Sequence, residues 1–244
     1  MYLTDYIWFM CALLVCALIA GFASSKVNST FNRYSTVSTR SGMTGYDTAK
    51  RIMRSNGVMG IDVGRVSGKL TDHYDPKKGL VNLSDATYSS SSVAAVAVAA
   101  HEMGHVMQKE KGYLFYNIRT ALVPIVNFGS RLALPLVLVG LLIDIFATSA
   151  DVHVGFYFAI VGVILYGGSF LFTLVTLPVE LNASRRAKKM LIEEGILAED
   201  EIAGASKVLS AAAMTYLAAM LTSLIYFLRF FVMVLTIFGR RDRK

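Results

Sequence analysis

VAVAAHEMGHVMQKEKGY, residues 96–113, carries two histidines four positions apart, His101 and His105, with Glu102 directly after the first. On an α-helix, positions i and i+4 share a face, so both imidazoles turn towards one point. Two imidazoles so placed are part of a tetrahedral Zn2+ site. The glutamate beside them is then a general base for a metal-bound water whose pKa the ion has lowered. A catalytic site of this kind takes three protein ligands and one open position, so a further ligand is required. The bland reading is a solvated helix face with paired His and Glu. The flanking sequence supports a helix: in SSSSVAAVAVAAHEMGHVMQKEKG the serines offer N-caps, alanine favours helix and Gly112 ends it. Gly104, within the motif, suits close approach of another backbone or a ligand.

Upstream, TGYDTAKRIMRSNG predicts a helix with Thr44 as N-cap, Asp47 three residues on and Gly57 as the stop. In IDVGRVSGKLTDHYDPKKGLVNLS, short β-type runs flank Asp75-Pro76-Lys77-Lys78-Gly79, which predicts a hairpin before the motif helix. Residues 6–23, YIWFMCALLVCALIAGFA, are nearly all apolar and about one span long. MYLTD lacks the basic start of a cleaved signal, so the segment reads as an uncleaved anchor.

Downstream, apolar runs at about 119–147 and 154–177 are joined by the short TSADVH, which has no Lys or Arg. Pro178 is placed at the start of a polar helix covering 178–207. The last apolar run, about 208–238, is longer than one span needs. It reads either as an amphipathic segment continuing into a span or as a tight hairpin. The whole chain of 244 residues is 55% hydrophobic and only 17% charged, which signals a membrane protein. The formal charge is +7, yet no basic cluster is interleaved with aromatics, so nucleic acid is not an expected partner. The two cysteines, Cys11 and Cys16, share the first apolar run, and a disulfide framework is excluded.

Lys and Arg concentrate between the first two apolar runs and again in 178–207, which places both regions in the cytoplasm. The tail GRRDRK is also basic. Four spans would put it outside, against its charge; a terminal hairpin would resolve the conflict, and so would weak enforcement of the charge rule at the tail.

The third ligand must lie on the membrane side of the motif helix. A hairpin of spans returns the chain to that side near residue 178, where Glu180 stands in PVELNAS. No cysteine is available there. His153 falls on the opposite side and reads as an exposed loop histidine. Glu180 is therefore the expected third ligand, completing His2Glu, against the bland reading of an acidic residue favouring a helix N-terminus. His73, at the end of the strand before the turn, is the other catalytic candidate. In metallopeptidases of this general type an edge strand beside the motif helix binds substrate backbone, and His73 or Tyr74 would reach the developing oxyanion. Its bland reading is an exposed hairpin-tip histidine. Asp72 and Asp75 read as turn formers and Asn82 as a strand residue. Asn127, Arg131, Arg185, Arg186 and Arg229 read as structural.

STFNRYS, LTDHYDP, VAAHEMGH, ALVPIVNFGS, LPVELNASRRA and AAAMTYLAA resemble the bacterial YugP-like family of membrane zinc metallopeptidases, through nearly the whole chain. The order of spans, HExxH and later glutamate is more distantly similar to the HtpX and CAAX prenyl protease group. In that group the zinc glutamate opens a Glu-aromatic-x-Ala-Asp motif. Here Glu180-Leu181-Asn182-Ala183-Ser184 keeps the glutamate and alanine, and Ser184 replaces the aspartate that partners the histidines in that group. The resemblance implies peptide hydrolysis.

The expected fold is an α-helical membrane protein with a small α+β zincin-like catalytic region. It comprises a transmembrane anchor at 1–23, a region with hairpin and HExxH helix at 24–116, and a transmembrane hairpin at 117–177. A helix with the third ligand at 178–207 and a C-terminal membrane segment with basic tail at 208–244 complete it. The expected function is a multi-pass, membrane-anchored zinc endopeptidase acting on membrane-associated peptide or protein substrates at the cytoplasmic face. A scaffold retaining a zinc site is the alternative. An intramembrane protease ranks lower, because the residues before His101 are too few and KEK follows too soon to span. A transporter ranks last, for want of ionisable groups inside the spans. Substrate identity and oligomeric state are not legible.

Overall fold

The computed structural model describes residues 2–146 and 154–238. TSADVH with its His153 and the basic tail lie outside the described residues, as do the expectations placed on them. In chain order the elements are α1 (Tyr2–Ser35), α2 (Gly45–Ser55), β1 (Asp62–Val66), β2 (His73–Asp75), β3 (Leu80–Ser84), α3 (Asp85–Tyr88), α4 (Val93–Glu110), α5 (Leu114–Phe146), α6 (Val154–Glu193) and α7 (Glu199–Phe238). Among the described residues four helices are long and apolar enough to cross a membrane, α1, α5, α6 and α7. The chain divides into two compact units, and these helices contribute to both.

The first unit comprises Met1–Ala20, Ile118–Leu177 and Leu217–Lys244. Its helices pack through small residues: a Cβ on Gly162 would stand 2.7 Å from the carbonyl oxygen of Ala133, and one on Gly140 2.4 Å from that of Gly155. Small residues are what let helix backbones approach in an apolar medium. Large apolar side chains such as Leu14, Leu138 and Ile164 point outward and are exposed. Arg229 sits with its guanidinium 5.2 Å from the ring centroid of Phe9, a structural partner of the kind expected of it.

The second unit comprises Gly21–Asn117 and Pro178–Tyr216. Thr44 and Asp47 form a reciprocal capping box at the start of α2, and Gly57 takes φ +66° just beyond its end. β2 and β3 are an antiparallel hairpin with His73 opposite Asn82 and Tyr74 opposite Val81. The turn is held by Asp75, whose Oδ1 accepts the amides of Lys77 (3.0 Å) and Lys78 (3.2 Å), and by Gly79 at φ +61°. β1 adds in parallel to β3, with Asp62 opposite Leu80, so the sheet order is β1-β3-β2 and β2 is an edge. The apolar side of β3, Val81 and Leu83, is fully buried in the same core as α4.

α4 is the centre of this core. Its alanines and valines from Val93 to Ala100, apart from half-buried Val98, are buried, and the Ser92 side chain caps its first turn through the amide of Ala95 (3.2 Å). α6 lies against it. Val179, Glu180, Ala183, Ser184, Ala187, Met190 and Leu191 are buried, a helical stripe at i, i+3, i+4 and i+7 spacing.

Three expectations change. The helix expected over 178–207 is instead the end of α6 and the start of α7, separated by a turn at 194–198 where Gly195 takes φ +61°. Pro178 does not start a helix but lies inside α6, which runs unbroken to Glu193. A proline there forfeits one backbone hydrogen bond. The stripe that follows buries seven side chains, and that burial outweighs the loss. The last apolar run is one continuous helix through Phe238, so the terminal hairpin reading falls.

Candidate metal centre

His101 and His105 lie on adjacent turns of α4 with ring centroids 4.8 Å apart and planes at 87°. Glu180 enters from α6. Its Oε2 is 3.1 Å from Nε2 of His101 and 3.4 Å from Nε2 of His105. All three ligand atoms fall within 4.8 Å of one another. A tetrahedral ion with bonds of about 2.0–2.1 Å sets its donors roughly 3.3 Å apart, and the two carboxylate-to-imidazole distances match that spacing. Two imidazole nitrogens and a carboxylate are also a donor set that suits zinc. Glu180 is 2% exposed and His105 8%, so the cluster is not a surface accident.

Helix contact brings the ligands together. A Cβ on Gly104 would stand 2.5 Å from the carbonyl oxygen of Ala183 and 3.0 Å from its Cα, so α4 and α6 touch backbone to backbone between the motif histidines and Glu180. The close approach expected at Gly104 is thus to another backbone.

Each histidine also has a partner at its other nitrogen. Ser184 Oγ lies 3.2 Å from Nδ1 of His101, occupying the place that the distant group gives to aspartate. Nδ1 of His105 is 3.0 Å from Oε1 of Gln108, which is fully buried. Gln108 Nε2 donates to the carbonyl of Val179 (2.7 Å) and to Oδ1 of Asn182 (3.0 Å), and Arg186 Nε donates to the same Oδ1 (2.8 Å). Sequence reasoning missed Gln108, Asn182 and Arg186. The signal available was position: Gln108 is seven residues after His101 and three after His105, on the same helix face.

Glu102 is 7% exposed. Burial, opposed by the charges of His101 and His73 and aided by those of Glu180 and Asp72, pushes its carboxyl up to about 7. Asp72 is more than a turn former. Its Oδ1 accepts the amide of Ser84 (2.7 Å) and its Oδ2 is buried without a hydrogen-bond partner among the described residues.

His73 is exposed on the edge strand and is not one of the clustered donors. Its Nδ1 is 2.9 Å from the carbonyl of Thr71, which only accepts, so Nδ1 carries the proton. Its Nε2 takes the amide of Asn82 at 3.1 Å, which gives Asn82 a role beyond the strand. The hydroxyl of Tyr74 is buried without a hydrogen-bond partner among the described residues, and Lys109 Nζ stands 5.8 Å from its ring centroid. Burial raises the Tyr74 phenol above its ordinary range, with the charges of Glu110 and Asp75 adding to the rise.

Residues 9–235 match the family model described as "Putative neutral zinc metallopeptidase". A curated relative, "Putative membrane protease YugP" of Bacillus subtilis (strain 168), is 44% identical over 214 residues, covering 88% of this chain and 91% of its own length. No solved structure matches the chain.

Proposed function

The chain belongs to the neutral zinc metallopeptidase family, and from that premise we propose that it is a membrane-anchored zinc-dependent endopeptidase. The observation that carries this reading is the convergence of His101, His105 and Glu180, with the Glu180 carboxylate 3.1 and 3.4 Å from Nε2 of the two histidines. These three residues hold the metal. When bound, zinc supplies Lewis-acid chemistry, easing deprotonation of water and polarising a peptide carbonyl.

Glu102 is the general base. It stands next to His101 in sequence, and a carboxyl titrating near neutrality both takes a proton from water and returns it to the leaving amine. Glu180 is a ligand and not a base, because its oxygen is directed at both imidazoles. The hairpin before α4, with β2 at the sheet edge, supports a zincin-like reading in which an extended substrate adds to β2. His73 is the donor to the developing oxyanion. Since Nδ1–H is committed to Thr71, donation from Nε2 requires a protonated ring and a turned Asn82 amide.

The four long apolar helices support a multi-pass membrane protein, and the distribution of Lys and Arg supports a site on its cytoplasmic side. Substrates of such an enzyme are membrane-associated proteins or peptides.

The test is zinc content together with peptidase activity of wild type and Glu102→Gln. Cleavage lost with zinc retained supports catalysis by Glu102. Zinc bound by both, with cleavage by neither across a broad substrate panel, favours the scaffold alternative.

A further inference from the structure

We propose that Gln108 is a positioning residue of this centre: it decides which nitrogen of His105 carries the proton and ties α4 to the residue immediately before Glu180. The proposal rests on the reading of His101, His105 and Glu180 as the zinc ligands.

The argument runs through donors and acceptors. The carbonyl of Val179 has no hydrogen to give, so the group of Gln108 that lies 2.7 Å from it must be the amide nitrogen. That fixes the amide. Its other end, Oε1, is the atom 3.0 Å from His105 Nδ1, and a carbonyl oxygen only accepts. Nδ1 of His105 therefore carries the hydrogen. Nε2, the nitrogen that faces Glu180, is thereby left as the one to bind the metal.

The outer nitrogen of His101 is not fixed in the same way. Ser184 Oγ, beside His101, is a hydroxyl and either donates or accepts. Gln108 has no such freedom, because its nitrogen serves two acceptors, Val179 and Asn182. Asn182 is fixed in turn: its Oδ1 accepts from Gln108 and from Arg186, so its oxygen faces both. Hydrogen bonds thus run in one direction, from His105 to Gln108, then from Gln108 and Arg186 onto Asn182.

Complete burial makes the device demanding. A buried amide with an unmade bond is expensive, so Gln108 holds its orientation only while both helices stay in register. Val179 and Glu180 are neighbours on α6. The bond that orients His105 therefore also fixes the backbone from which the third ligand projects.

The test uses the full-length chain in bilayers or detergent, stripped of metal by a chelator and then treated with zinc, with histidine labelled by 15N. Four histidines make the spectrum assignable by single substitutions. With zinc present, wild-type His105 is expected to show a protonated Nδ1 and the metal on Nε2. Gln108→Met, similar in volume but unable to hydrogen-bond there, is expected to give a mixture of tautomers and to bind zinc roughly 10–100-fold more weakly. Asn182→Asp keeps the one oxygen that the network uses and is expected to retain the wild-type tautomer.

A proton on Nε2 of His105 in the wild-type chain overturns the proposal without any variant. So does a Gln108→Met protein with the wild-type tautomer and wild-type zinc affinity. A wild-type chain that shows Nδ1–H on His105 yet binds no zinc supports the orienting role and sinks the ligand reading instead.

Discussion

Gly104 and Ala183 meet backbone to backbone, so closely that a Cβ at position 104 would stand 2.5 Å from the carbonyl oxygen of Ala183. This contact sets the distance between the helix that bears both histidines and the helix that bears Glu180. In Gly104→Ala, helix propensity gains about 1 kcal/mol. Overpacking against a backbone that cannot rotate away costs about 1–3 kcal/mol. The second effect wins. The variant is expected to melt at lower temperature than wild type and to lose zinc more readily under competition by a chelator. Unchanged zinc affinity would show that the helices tolerate separation.

Glu180→Gln keeps the shape of the third donor and removes its charge. Zinc affinity is expected to fall by more than the roughly 10–100-fold typical of losing an outer partner. Equilibrium dialysis with zinc alone measures this. Wild-type affinity in the variant would remove Glu180 from the ligand set.

Ser184→Ala takes away the partner of His101 Nδ1. Roughly tenfold weaker zinc binding is expected, and Ser184→Asp is expected to bind at least as tightly as wild type, since a carboxylate accepts the Nδ1–H more strongly. Equal affinity in all three proteins would mean that the serine does not orient the ring.

Glu102 predicts a pH dependence of stability in the chelator-treated protein. Its folded pKa of about 7 lies above the ordinary carboxyl value of 4.5, so the fold favours the protonated form. The sign follows: this group lowers stability progressively as pH rises from about 4.5 to about 7, and fully above that. The penalty is on the order of 3 kcal/mol. Glu102→Gln should therefore unfold at higher temperature than wild type near pH 8 and at the same temperature near pH 4. A variant no more stable at the alkaline end would refute the assignment. Restoring zinc should shrink the gap, because a nearby dication favours the carboxylate.

The sequence was most legible where the determinants are local. Thr44 and Asp47 bond to each other's backbone, three residues apart, and the capping box is there. Asp75 to Gly79 carry their own turn chemistry, and the hairpin is there. His101 and His105 share a face because of helix period alone. Pro178 misled, because the proline rule describes a local loss and says nothing of the buried stripe that carries α6 through it. The parallel addition of β1 and the Gln108 network were not legible, since each joins segments whose separation along the chain is bridged only by packing. Position 184 showed what was missing relative to a distant group, yet only the fold places its hydroxyl against His101.

The groups that draw the two helices together are ones an ion never touches: Gly104 against Ala183, with Ala187 and Leu191 further along the same seam. Gathering the donors is thus accomplished by oil-like contacts during assembly of the polypeptide. Small zinc modules collapse when stripped because the ion is their core; here demetallation should silence chemistry and leave the scaffold standing.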